Sequence, residues 1–178
     1  MTVKEFLIKS GLTNDCDLIW AAIEKLPKPY AVGGVRTPST LNDLTMGELI
    51  QLQGISTEQQ MLFVSCRVIL GMDEPEVLKS DVNEVLGFVY WVAKEIELIN
   101  RLFASTSIPS TPEEKQAGAD RLDFGPFGLL DYYALRMGIA DHEAVERVPW
   151  IRVYKCLDID ACRIKFERRL RNILSEKK

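Results

Sequence analysis

The chain has 178 residues, which is long enough to bury a hydrophobic core without disulfides or bound metals. Hydrophobic residues make up 47% and charged residues 27%, which excludes disorder over most of the chain. The net charge is -4, no run of about 18 apolar residues occurs, and no secretory signal is recognised, so we expect a cytoplasmic protein.

Helix signals begin at the first residues of the chain. Thr2 and Glu5 have the spacing of a capping box, which predicts a short helix that ends at Gly11. A second helix is predicted over about residues 15–26. Residues 27–44 are too rich in Pro and Gly for a helix, and they allow at most a short β-hairpin.

Two further helices are predicted between residues 45 and 71. Thr45 and Glu48 form a capping pattern for the first, and Ser56 and Thr57 begin the second. Residues 61–70 are apolar on almost every side, which is typical of a central, buried helix.

Residues 81–103 form the longest periodic stretch of the sequence. Phe88, Trp91 and Ile99 widen the apolar stripe of this helix beyond one face. Such a wide stripe either contacts both the core and a partner, or lies wholly within the protein's own core. We therefore take Phe88, Trp91 and Ile99 as candidate partner-binding residues, with burial in the core as the alternative.

The composition of residues 104–112 predicts a linker between a first helical part, 1–103, and a second, 113–178. We expect both parts to belong to one domain, 1–178. The predicted fold class is all-α: a single compact multi-helix domain, with a short β-hairpin near residues 27–44 as a further possibility.

The second half shows the same alternation of caps and apolar positions. Thr111 and Asp141 are predicted N-caps, and Gly138 a helix end. The last helices are predicted over 150–157 and 158–174, with Asp158 and Asp160 at the start of the final one. Its predicted inner face consists of Ile159, Cys162, Phe166, Leu170 and Ile173. Across the whole chain, the predicted core includes Phe63, Val89, Ile96, Leu130, Trp150 and Phe166.

Charge is distributed unevenly along the sequence. Residues 150–178 hold nine Lys or Arg and four Asp or Glu, whereas the other 149 residues hold thirteen and twenty-two. A basic end is compatible with binding of nucleic acid. We favour a solvated helix face, because the acidic remainder of the chain would repel phosphate.

No pattern of catalytic or metal-binding residues occurs in the sequence. The cysteines, Cys16, Cys66, Cys156 and Cys162, form no C-x-x-C pair, and His142 is the single histidine. A nucleophile would have to use that histidine, which lies on a charged predicted surface. We expect no enzyme, no cofactor and no metal site.

An ordered series of short segments runs through the second half: Lys115-Gln116-Ala117-Gly118-Ala119-Asp120-Arg121-Leu122, Phe124-Gly125, Leu129-Leu130-Asp131-Tyr132-Tyr133-Ala134, Ala144-Val145-Glu146, Val148-Pro149-Trp150, Val153-Tyr154, Leu157, and Phe166-Glu167-Arg168-Arg169-Leu170. The first half contributes Leu44-Thr45-Met46-Gly47-Glu48-Leu49. Over about residues 41–174 this series resembles the tail assembly chaperones of long-tailed bacteriophages.

The resemblance implies a function in tail morphogenesis. Such chaperones bind the tape measure protein, help recruit tail tube subunits, and leave before the tail is complete. It implies location in the cytoplasm of the infected host. From the charge distribution and the apolar runs we expect no binding of nucleic acid or membrane, and we keep self-association as an alternative. The alternatives are a structural virion protein, such as a head–tail connector or completion factor, and a small helical DNA-binding module.

Overall fold

The computed structural model describes residues 1–10 and 21–176. Helix covers 69% of these residues, and their strands form one small hairpin, so the predicted all-α fold with a short hairpin is confirmed. The predicted end at Gly11, the residue Cys16 and most of the predicted helix over 15–26 lie outside the described residues.

The elements with both ends described are, in chain order, α1 (Val3–Ser10), β1 (Ala31–Val32), β2 (Val35–Arg36), α2 (Met46–Gln53), α3 (Glu58–Leu70), α4 (Glu74–Lys79), α5 (Val82–Ser105), α6 (Pro112–Gln116), a 3-10 helix (Ala119–Arg121), α7 (Gly125–Met137), α8 (His142–Glu146) and α9 (Trp150–Glu176).

The chain divides into two compact units. The first contains Met1–Leu44 and Glu48–Leu98, and the second contains Thr45–Gly47 and Ile99–Lys178. The division falls within α5, and the predicted linker over residues 104–112 lies in the second unit.

The hairpin of the first unit turns at two glycines. β1 and β2 are antiparallel, and Gly33 and Gly34 have φ values of 54° and 87°. Positive φ at both central residues defines the turn that suits the twist of a two-residue hairpin. The Gly33 amide donates a hydrogen bond to Glu84 Oε2 at 3.1 Å, which ties the turn to α5.

The start of the chain is held at the start of α5. The predicted capping box of α1 is present: the Thr2 amide donates to Glu5 Oε2 at 3.0 Å, and the Glu5 amide donates to Thr2 Oγ1 at 3.2 Å. The Val82 amide donates to the carbonyl of Met1 at 3.0 Å, and Thr2 forms an isolated β-bridge with Asp81. These contacts fix α1 against the N-terminal end of α5.

One face of α5 forms much of the core of the first unit. Its buried residues there are Val82, Val85, Phe88, Val89 and Val92. The predicted central burial of residues 61–70 is wrong, because only Leu62, Ser65 and Cys66 of α3 are buried. The reason is that the protein covers only one face of α3. Phe63 lies on the other face, where it lines a surface pocket.

The core of the second unit is built around Trp150. The Phe103 ring centroid lies 6.0 Å from that of Trp150 and 5.8 Å from that of Tyr154. Burial is confirmed for three of the predicted core residues, Val89, Leu130 and Trp150. Phe63 and Ile96 are half-buried, and the prediction for Phe166 is wrong because 58% of its surface is exposed.

The final helix is longer than the sequence pattern indicated. α9 runs without a break over Trp150–Glu176, so the predicted start of a separate helix at Asp158 is wrong. Aspartate is favoured at helix starts, but no Pro or Gly interrupts this stretch, and the backbone hydrogen bonds continue through it. Asp160 instead contacts side chains of α7, as described below.

Residues 27–29 cross α5 at a glycine. A Cβ atom placed on Gly87 would lie 2.7 Å from the carbonyl oxygen of Pro27, which is closer than real Cβ contacts. An alanine in the interior of a helix is normally about 1 kcal/mol more favourable than glycine. At this position the close approach of the two backbones should outweigh that preference.

We therefore expect Gly87→Ala to lower the free energy of unfolding, measured by chemical denaturation, although it raises helix propensity. Ala104→Gly, at an exposed position of the same helix, is the control and should cost no more than about 1 kcal/mol. An increase in stability for Gly87→Ala would contradict the close approach of Pro27.

Candidate partner-binding surface

Two of the three candidate residues of α5 face the interior. Phe88 has no exposed surface and Ile99 is also buried, whereas Trp91 is half-buried. Phe88 and Trp91 are neighbours with ring centroids 5.9 Å apart, and Ile99 belongs to the second unit. In this structure Phe88 and Ile99 therefore contribute to the core, which was the alternative prediction for the apolar face of residues 81–103.

The Trp91 ring is in contact with the protein's own chain. Lys28 Nζ lies 3.6 Å from the centroid of the ring, a cation–π geometry. The same ammonium donates hydrogen bonds to the carbonyls of Pro38 at 2.5 Å and Ser39 at 3.2 Å. Trp91 thus helps to hold the segment from Lys28 to Ser39 against α5, which leaves less of its ring for a partner.

A continuous row of exposed apolar side chains lies on α9. We call it the α9 stripe, and it consists of Ile159, Cys162, Phe166, Leu170 and Ile173. Its four larger members are 43% to 58% exposed, and Cys162 is also exposed. The sequence pattern had identified this row but assigned it to the inner face of the helix, and that assignment is wrong.

The inner face of this part of α9 is a different and more polar one. Ala161 is buried, and the Arg168 guanidinium donates to the carbonyl of Pro109 at 2.7 Å and to Glu114 Oε1 at 2.9 Å. Lys165 Nζ donates to the carbonyl of Ser105 at 3.4 Å. Since successive residues of an α-helix are about 100° apart, Phe166 lies about 160° around the helix from Arg168. The α9 stripe therefore points away from the contacts that hold the helix.

Basic residues border the α9 stripe. Arg163 and Arg169 are both exposed and lie on opposite sides of it. Glu167 lies on one border and forms an exposed i,i+4 pair with Arg171 at 3.6 Å. The surface is thus an apolar row with arginines on both borders.

One polar cluster connects α7 to α9. Asp160 Oδ2 accepts a hydrogen bond from the Tyr132 hydroxyl at 2.5 Å and also pairs with the Arg136 guanidinium. These hydrogen bonds, that of Tyr132 first, hold the pKa of Asp160 below its ordinary value. Burial, together with the bond to Asp160, raises the pKa of Tyr132 to about 12. Each polar group of the cluster has a partner, which is the arrangement of a structural contact between helices.

His142, the candidate that a nucleophilic mechanism would need, also serves contacts within the second unit. Its Nε2 atom lies 3.2 Å from Asp131 Oδ1, and its ring lies 4.8 Å from that of Phe127. Among residues 1–10 and 21–176, no group of three or more potential metal ligands occurs. Within the same part of the chain, no helix combines the length and the apolar character needed to cross a bilayer.

Comparison of the chain with protein-family models, with curated proteins and with solved structures finds no significant match. The resemblance to tail assembly chaperones therefore rests on the residues quoted from the sequence.

The Asp160 cluster predicts a pH dependence of stability. Because the pKa of Asp160 is lower in the folded than in the unfolded chain, its contribution is present above the unfolded value of about 3.9 and is lost as the pH falls through the folded value. We expect Asp160→Asn to lower the denaturation midpoint at neutral pH, and the difference from wild type to shrink in acid. Asp158→Asn, at an exposed position two residues away, should show neither effect. A difference that is equal at both pH values would contradict the role of the carboxylate.

The cysteines should differ sharply in reactivity. Cys66 is fully buried, and burial raises the pKa of its thiol to about 12, so the thiolate that reacts is both rare and covered. Cys162 lies on the exposed α9 stripe. Alkylation of the folded protein, followed by peptide mass spectrometry, should label Cys162 quickly and Cys66 only after unfolding. Equal labelling of the two under native conditions would contradict the packing of α3.

Proposed function

We propose that this protein is a tail assembly chaperone of a long-tailed bacteriophage, and that it acts by binding rather than by catalysis. The observation that carries the proposal is the α9 stripe, a row of exposed apolar side chains on a helix held from its opposite face. Exposed apolar rows of this kind mark surfaces for protein partners. The sequence resemblance over about residues 41–174 supplies the identity of the partner.

The partner is the tape measure protein of the same phage. A long helical ruler exposes an apolar stripe of its own, and that stripe aggregates unless another surface covers it. Packing of one amphipathic helix against another is an established way to cover it. In this proposal the chaperone works in the cytoplasm of the infected host, helps to recruit tail tube subunits, and is absent from the finished virion.

Co-expression with the tape measure protein tests this function. We expect wild-type protein to keep a helical, apolar tape measure segment soluble, and the double variant Phe166→Ser, Ile173→Ser to do so much less. The matched control is Leu135→Ser, Met137→Ser, which also removes two exposed apolar side chains, from α7. Both variants should keep the wild-type melting temperature, because all four side chains are more than half exposed.

Other outcomes would replace the proposal with one of its alternatives. An insoluble tape measure segment, together with stoichiometric protein in purified virions, would indicate a structural component of the particle. Tight binding of duplex DNA with a steep dependence on salt would indicate a DNA-binding module.

A further inference from the structure

The spacing of the α9 stripe matches the seam of a two-helix contact. Its five members follow one another at intervals of three, four, four and three residues, from Ile159 to Ile173. An average interval of about 3.5 residues is the repeat that keeps one apolar row against a second helix. The row is about 21 Å long, which corresponds to about four turns of a partner helix.

The residues that border the stripe are mainly basic. Residues 162–178 contain seven Lys or Arg and two Asp or Glu. Arg168 forms a salt bridge with Glu114 on the inner face, whereas Arg163 and Arg169 are exposed beside the stripe. Side chains at such positions lie close to the borders of a partner helix and determine which partner is accepted.

The same charges disfavour three other occupants. A second copy of this helix would bring like charges together along the contact, which is destabilising. Nucleic acid would pair with the arginines but leave the apolar row uncovered. An anionic membrane would attract Arg163 and Arg169, but Glu167 on the border of the row would be repelled.

We infer that the α9 stripe binds an amphipathic protein helix whose apolar row is bordered by acidic residues. Apolar contact supplies the attraction, and Arg163 and Arg169 select acidic over basic partners. This inference rests on the proposed function in that it specifies the surface and the kind of tape measure helix involved. It is nevertheless testable without the tape measure protein.

The test uses designed helical peptides of about 20 residues, enough to span the stripe. The acidic peptide carries a Leu and Ile row at the same spacing with Glu on both borders, and the basic peptide has Lys in place of Glu. A third peptide has the acidic composition in scrambled order. With the full chain, we expect the acidic peptide to bind at least about tenfold more tightly than the basic one, and the scrambled peptide not to bind.

Cys162 reports whether binding occurs at the stripe. The acidic peptide should slow alkylation of Cys162, which lies within the row, and should leave the labelling of Cys156 unchanged. Phe166→Ser, Ile173→Ser should abolish both the binding and the protection.

Charge reversal provides the matched control. Arg163→Glu, Arg169→Glu should weaken binding of the acidic peptide and strengthen binding of the basic one. Lys25→Glu, Lys79→Glu makes the same change in net charge at exposed positions of the first unit and should leave both affinities unchanged. A loss of selectivity in this control as well would show that overall charge, and not the stripe, selects the peptide.

Several results would overturn the inference. They are equal binding of the acidic and basic peptides, binding without protection of Cys162, a dimer of the free chain that Phe166→Ser dissociates, and stripe-dependent sedimentation with phosphatidylserine vesicles. Failure of the proposed function would look different: the acidic peptide would bind at α9, but no tape measure segment would be kept soluble. Conversely, the tape measure segment could stay equally soluble with wild-type protein and with Arg163→Glu, Arg169→Glu. That result would support the proposed function and refute the charge selection.

Discussion

Burial of one face of α5 is the constraint on which the first unit depends. A fully buried apolar side chain such as Phe88 contributes roughly 1.5–3 kcal/mol, and a helix of 24 residues can gain this stabilisation repeatedly if the chain covers it. The covering segments meet α5 at successive positions. The start of the chain is hydrogen-bonded to Val82, and the hairpin turn is hydrogen-bonded to Glu84. The proline-rich segment passes close to the backbone at Gly87. Each contact is local, but together they explain why residues without regular structure are held firmly to the helix.

The second unit illustrates how a helix can be held without burying its apolar row. The first turns of α9 enter a core around Trp150, whereas beyond Ala161 the attachment is made by charged side chains. Arg168 pairs with Glu114 and bonds a backbone carbonyl, and such contacts stabilise an exposed helix only modestly. They are nevertheless directional, so they determine which side of the helix faces inward. The apolar row is left on the other side, where a partner helix can reach it.

The position of the candidate surface changes the interpretation of the basic end of the chain. In sequence, the lysines and arginines there looked like a solvated helix face. In the structure, two of them border an apolar row, so charge and apolar contact are presented on one surface. Apolar burial determines how tightly such a surface binds, and charge mainly determines which partner it accepts. In the proposed complex, Arg163 and Arg169 have a role in selection that composition alone did not indicate.

The sequence by itself determined the local structure. Capping residues, glycine ends and apolar spacing identified the fold class, the hairpin region and the row that runs from Ile159 to Ile173, because these features depend on neighbours within a few residues. Only the tertiary structure decided which rows are covered. A periodic pattern defines the faces of a helix but carries no information about what packs on them. The pattern therefore left Phe88 open between a partner surface and the core, where the structure buries it, and it wrongly placed the exposed Phe166 in the core. The continuity of α9 through Asp158 was likewise decided by tertiary contacts. Tyr132 and Arg136 of α7, which are distant in sequence, bind the carboxylate of Asp160 in the interior of the helix.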